Sequence, residues 1–170
     1  MMFRKPWIKY KIKRNEKKRG IPKAVDFNKS TKIGFIFSED SDSSSVKNIL
    51  DDLSAEGKEI STLAFCKNKS KITLKHPVFD TKDVSTFGDF KSEELDAFMK
   101  QKYDIVFCPD SDEHYLIHYL LSKVNAKCRV GITDKNEKNH FEMILRKTKG
   151  APLKSREVLK YLKMIQSNEH

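Results

Sequence analysis

Long apolar runs are missing from this chain: no stretch approaches the roughly 20 consecutive apolar residues that a bilayer span requires. The basic N-terminus is not followed by an apolar segment either, so neither a membrane span nor secretion is expected. Cysteine is scarce and odd in number. Cys66, Cys108 and Cys128 are far apart and flanked by apolar residues, which argues against a disulfide framework and for reduced core thiols in a cytoplasmic protein. Also absent are a G-x-S-x-G elbow, a C-x-x-C pair and a glycine-rich phosphate loop, so no catalytic residue and no cofactor is assigned, and no metal is expected.

Acidic residues are nearly absent from one place. The first 23 residues carry ten Lys and Arg against the single acid Glu16, a local charge of +9 in a chain whose total is +10. The other 147 residues hold 24 basic and 23 acidic side chains and are close to neutral. A short segment this cationic is drawn to a polyanion, either nucleic acid or an anionic membrane surface. Within it Trp7, Ile8, Tyr10 and Ile12 interleave with Lys9, Lys11, Lys13 and Arg14. Aromatics stack on exposed bases while cations neutralise phosphates. The bland alternative is that Trp7 and Ile8 dock the segment onto the body and the charges are merely solvated.

Beyond residue 31 the pattern alternates. KIGFIF (32–37) reads as a buried first strand, and Val46, Ile49, Leu50 and Leu53 have helical spacing up to a stop at Gly57. EISTLAFC (59–66) reads as a second strand, and the following residues hold only weak extended signals, KITL and HPVFD. Ser92 opens a helix with Leu95, Phe98 and Met99 on one face. YDIVFC (103–108) is a strand, Leu116, Ile117, Leu120, Leu121 and Val124 mark a helix, and CRVGI (128–132) is a strand. NHFEMILRKTKG reads as a short strand or helix, and SREVLKYLKMIQSN as a capped helix with Val158, Leu159, Leu162 and Ile165 inward. Such alternation predicts an α/β fold: a Rossmann-like, open, mostly parallel sheet with flanking helices and a basic N-terminal arm. The expected division is an arm over residues 1–31 and a single α/β domain over 32–170 ending in a helix. Since the core signals lie beyond Lys32, removing residues 1 to 20 is expected to leave the fold intact. Residues 128 to 170 carry ten basic and five acidic groups, a second basic region that could lie beside the arm.

The loop after the first strand, SEDSDSSS, has no glycine and presents Glu39, Asp40 and Asp42, which repel a phosphate, while Ser43, Ser44 and Ser45 read as helix caps. Asp110, Ser111, Asp112 and Glu113 follow the YDIVFC strand at the corresponding edge. Two acidic loops there could hold Mg²⁺, but helix capping is the preferred reading. His114 and His118 share a helix face without an evident third ligand and read as ordinary histidines.

The order strand, helix, Ala126, Arg129-Val130-Gly131 is similar, over about 30 residues, to the acceptor-side half of heptosyltransferase-like GT-B glycosyltransferases. The activity is not implied, because those enzymes need a second Rossmann domain. Over most of its length, basic start included, the chain more closely resembles a family of small uncharacterised Bacteroidota proteins of the DUF6913 type, a resemblance that implies a lineage and fold but no catalytic residues. The resulting expectation is a non-enzymatic protein that binds structured RNA, most readily as a ribosome-associated factor. Arg4, Lys5, Lys9, Lys11, Lys13, Arg14, Lys17, Lys18 and Arg19 would contact phosphates and Trp7 and Tyr10 would stack. The alternatives are a peripheral protein at the inner membrane surface or on a membrane complex, and a Rossmann-like protein that binds a small ligand or metal.

Overall fold

The computed structural model describes residues 4–20, 25–41, 43–71, 74–109, 114–132, 141–146 and 155–164. Six strands, β1 (Lys32–Ser38), β2 (Glu59–Phe65), β3 (Val78–Phe79), β4 (Lys102–Cys108), β5 (Asn125–Ile132) and β6 (Met143–Leu145), form one sheet in the order β3-β2-β1-β4-β5-β6. Every neighbouring pair is parallel. This is the Rossmann strand order, with the reversal of direction between β1 and β4.

The strands are apolar because both faces of the sheet are covered. Along β1, Ile33, Phe35 and Phe37 enter one core cluster and Ile36 the other; along β4, Ile105 and Phe107 part from Val106 and Cys108 in the same way. Helix α2 (Ser43–Ala55) places Val46, Ile49 and Leu53 on the first face, together with Val158 and Leu162 of α5 (Ser155–Lys163). Helices α3 (Glu93–Lys100) and α4 (Tyr115–Lys123) cover the other face with Leu95, Phe98, Leu116, Ile117, Leu120 and Leu121. Ser92 caps α3 by accepting from the Leu95 amide at 3.1 Å, as its sequence implied. Gly57, at a φ of +74°, closes α2. The three cysteines are free and buried.

Four expectations need correction. The basic segment is a helix, α1 (Arg4–Lys18), not an extension beside a finished core: Ile8 and Ile12 are buried among the side chains of the α3/α4 face. Val25 and Phe27, also ahead of residue 32, are buried on the opposite face. The core signals therefore begin well before Lys32. Third, Ser43, Ser44 and Ser45 form the first turn of α2 rather than its cap. Fourth, α5 packs on the face opposite α1, so its cations and those of α1 point away from each other. Of the ambiguous segment 139–150, residues Met143–Leu145 are a strand.

Asp104 fastens the start of the sheet. Its carboxylate accepts from the Thr31 and Lys32 amides at 2.9 and 3.1 Å and from Lys127 Nζ at 2.6 Å. Burial works to raise this carboxyl, but the bonds from Lys127 and the two amides win and hold it at about 2. A carboxyl depressed below its unfolded value of about 3.9 adds stability that is present above that pH and lost as pH falls towards 2. Asp104→Asn should therefore flatten the stability-versus-pH curve between about pH 4 and pH 2, measured by urea denaturation across that window. The docking of α1 is tested by Ile8→Ala. Emptying a fully buried isoleucine site should cost about 2–5 kcal/mol, and deletion of residues 1 to 20 should cost more than the point variant.

Candidate functional site

In an open parallel sheet, ligands collect outside the C-terminal strand ends where the chain direction reverses. Here the turn after β1 is bonded on its β2 side to the residues that follow β2. Glu39, following β1, accepts from the Lys67 amide at 2.8 Å, and its own amide donates to the Phe65 carbonyl at 2.8 Å; Asp40 pairs with Lys67 Nζ at 3.0 Å. The acids Asp110, Asp112 and Glu113 lie outside the described residues, as does Asp42. His114 caps α4, its Nδ1 accepting from the Leu116 amide at 3.2 Å, and no third metal-type ligand joins it and His118 among the described residues. Burial, with the charges of Arg4 and Lys5, pushes the His114 ring below its usual range. A cavity of about 470 Å³ lies beside the α2 start, lined by Phe37, Val46, Leu50, Leu74 and His76.

The second candidate is the surface of α1. Apart from Lys17 and Lys18, which suit the dipole at its last turn, its own sequence works against this helix. Its first turn holds cations and no acid, against the helix dipole, and Lys5, Lys9, Lys13 and Lys17 stand at i,i+4 spacing, each pair repelling. Packing supplies what propensity does not. α1 lies alongside α4 and runs in the same direction, with Lys5 near the Tyr115 ring and Asn15 Nδ2 donating to Ser122 Oγ at 3.0 Å. At its start the Arg4 guanidinium donates to the Thr81 and Val84 carbonyls. At its end Glu16 and Arg19 join a buried ionic cluster. Arg129 of β5, whose side chain is 2% exposed, reaches Glu16 at 3.3 Å and Glu142 at 3.3 Å, and also donates to the Leu121 carbonyl; Arg19 reaches Glu142 at 2.6 Å.

The nine cations expected on phosphates thus separate into two groups. Arg4, Arg19 and Lys11, which donates to the Phe87 carbonyl, face the body. Lys5, Lys9, Lys13, Arg14, Lys17 and Lys18 are exposed, and none of the six makes an ion pair among the described residues. Trp7 and Tyr10 also point outward, their ring centroids 5.6 Å apart, so Ile8 rather than Trp7 is the docking residue. The result is a helix about 22 Å long with one side locked to the domain and its exposed surface carrying six cations without ion pairs among the described residues and two aromatic rings.

Residues 4–165 match a family of unknown function, DUF6913. The chain belongs to this family. Comparison with curated proteins gives no match. The DUF6913 match begins at Arg4, the first residue of α1, so the helix lies within the family's extent and is not an appendage to it.

The sequence did carry the signal for the inner side of α1. Arg4, Ile8, Ile12, Asn15 or Glu16, and Arg19 recur at three- and four-residue steps, which is one helical stripe. Arg129 and Glu142 could not be found that way, because they are distant in sequence and meet only through the β5–β6 pairing. Removing one partner of a buried ionic cluster strands the other. Arg129→Ala should therefore destabilise the DUF6913 domain by about 3–5 kcal/mol, measured by chemical denaturation followed by circular dichroism.

Proposed function

We propose that this protein is a non-enzymatic RNA-binding protein, associated with ribosomes or another structured RNA, that engages its target through the outer side of α1. The observation that carries the reading is the six exposed cations fixed on a docked helix and left without acidic partners among the described residues. Four lysines in an i,i+4 row repel one another, and a polyanion laid along the row converts that repulsion into attraction. Over the 12 residue steps from Lys5 to Lys17 the row extends about 18 Å, enough to follow several phosphates.

Phosphates on RNA are favoured over a lipid surface by the direction of the isoleucines. An interfacial helix inserts an apolar face between lipids, whereas the apolar side chains of α1 other than Trp7 and Tyr10 are consumed by the domain core. No helix among the described residues is long and apolar enough to cross a membrane. The acidic, glycine-free loop after β1, with Glu39 bonded to the Lys67 amide, supports a role without a bound nucleotide or phosphorylated substrate.

RNA affinity should fall steeply with salt, with a log–log slope between about −4 and −5 if all six cations engage phosphates. Lys9→Ala should weaken binding and reduce the slope by about one contact. Lys11→Ala, in a cation already directed at the Phe87 carbonyl, should change the slope less. Filter binding to ribosomal RNA at several salt concentrations measures all three, and an affinity indifferent to salt would sink the electrostatic model.

A further inference from the structure

Three large aromatic side chains are left exposed at one end of α1. Trp7 and Tyr10 are 42% and 56% exposed, and the third is Phe87, at 66%. Phe87 comes from a different part of the chain, the turn between Val84 and Phe90, which pair as an isolated antiparallel bridge. That turn is held from within. Ser85 Oγ accepts from the Phe87 and Asp89 amides at 3.2 and 2.9 Å and donates to the Asp89 carboxylate at 3.0 Å, while the Ser85 amide donates to the Asp89 carbonyl at 2.8 Å. It is also held from below. Gly88 takes a φ of +87°, its carbonyl accepts from the Tyr119 hydroxyl at 2.7 Å, and any side chain there would collide with Tyr119 and crowd Ile8. The turn thus sits directly on α1 and α4.

Lys11 joins the two pieces. Its Nζ donates to the Phe87 carbonyl and lies 6.0 Å from the Trp7 ring centroid. Lys123, 4.6 Å from the Phe90 ring, adds a second cation at the same end. A phenylalanine on the apex of a rigid turn and a tryptophan on a locked helix keep apolar area in water with little conformational freedom left to lose on binding. The stack-forming rings stand at one end of the row of phosphate-binding cations.

From this juxtaposition we infer that Phe87, with Trp7 and Tyr10, is a stacking platform for unpaired bases, so that the RNA bound along α1 has a single-stranded loop or end beside a phosphate-lined stem. This rests on the RNA reading above and narrows its substrate class. A fully paired duplex offers cations its phosphates but keeps its base faces inside the stack. Unpaired nucleotides offer both, and aromatic stacking accepts any base.

Trp7 is the only tryptophan in the chain, so its emission reports directly on the platform. The experiment titrates the full-length protein with two RNAs of equal phosphate number, a stem carrying an unpaired loop and a blunt duplex, at two salt concentrations. The expected result is quenching of Trp7 by the looped RNA and little by the duplex. Phe87→Ala should lower affinity for the looped RNA by about 5- to 100-fold with an unchanged salt slope, and leave duplex affinity untouched. A thermal melt of Phe87→Ala that coincides with the wild type confirms that this exposed site was changed without loss of fold. Equal affinity and equal quenching with both RNAs, or no effect of Phe87→Ala, overturns the platform while salt-dependent binding keeps the RNA reading standing. Failure of both RNAs to bind, with a blue shift of Trp7 emission on vesicles of anionic phospholipid, overturns both.

Discussion

A guanidinium almost wholly withdrawn from water is the constraint from which the rest of this molecule follows. Arg129 stands on β5 between Cys128 and Val130, which serve the core, and its charge is tolerable only because Glu142, Glu16 and the Leu121 carbonyl close around it. Each of those partners belongs to a different part of the chain: the approach to β6, the end of α1 and the last turns of α4. Satisfying one buried cation therefore fixes three elements at once. Burying charge is an inefficient way to gain stability, since apolar replacements of equal volume serve as well or better. What the cluster does supply is a defined position for α1, because Glu16 meets Arg129, and Arg19 meets Glu142, at only one helical phase.

The consequence is a change in what the positive charge can do. On a flexible arm, cations find phosphates one at a time and each contact loses side-chain and backbone freedom. On a helix held at Arg4, Ile8, Ile12, Asn15 and Arg19, the backbone cost has already been met in folding, and the six outward cations keep fixed positions relative to one another. The same phase that turns the isoleucines inward turns Trp7 and Tyr10 outward.

Most of the sheet was legible because buried parallel strands announce themselves as apolar runs: KIGFIF and YDIVFC were read within a residue of their observed limits. Legibility failed where tertiary contact overrides local preference. In α1 the run of lysines concealed two isoleucines four residues apart, and composition suggested a solvated arm where periodicity alone gave a helix. β3 and β6, two and three residues long, exist through pairing with β2 and β5 and have too few residues to show alternation. The placement of α5 across the sheet from α1 follows from its apolar residues Val158 and Leu162, which join the core of that face, and not from its charge. Of the candidate site, the chemistry was visible in the sequence and the partition was not. Which cations face outward is decided by Thr81, Val84, Phe87 and Glu142, none of them near α1 in the chain.

The fold has the Rossmann order but not its usual use of space. In that architecture the first strand-to-helix turn normally offers backbone amides to a phosphate, which requires glycine for close approach and the absence of negative charge. Here the turn carries Glu39, whose carboxylate accepts from the Lys67 amide, and Asp40, which pairs with the Lys67 ammonium, so its bonds run to the residues after β2. Charge of the opposite sign has been moved to an added helix on the α3/α4 face, where the neighbouring turn contributes Phe87. Separating the acidic edge from the basic helix keeps the two from neutralising each other. It also leaves the surface potential uneven, positive along the outer side of α1 and offset by acids at the end of β1.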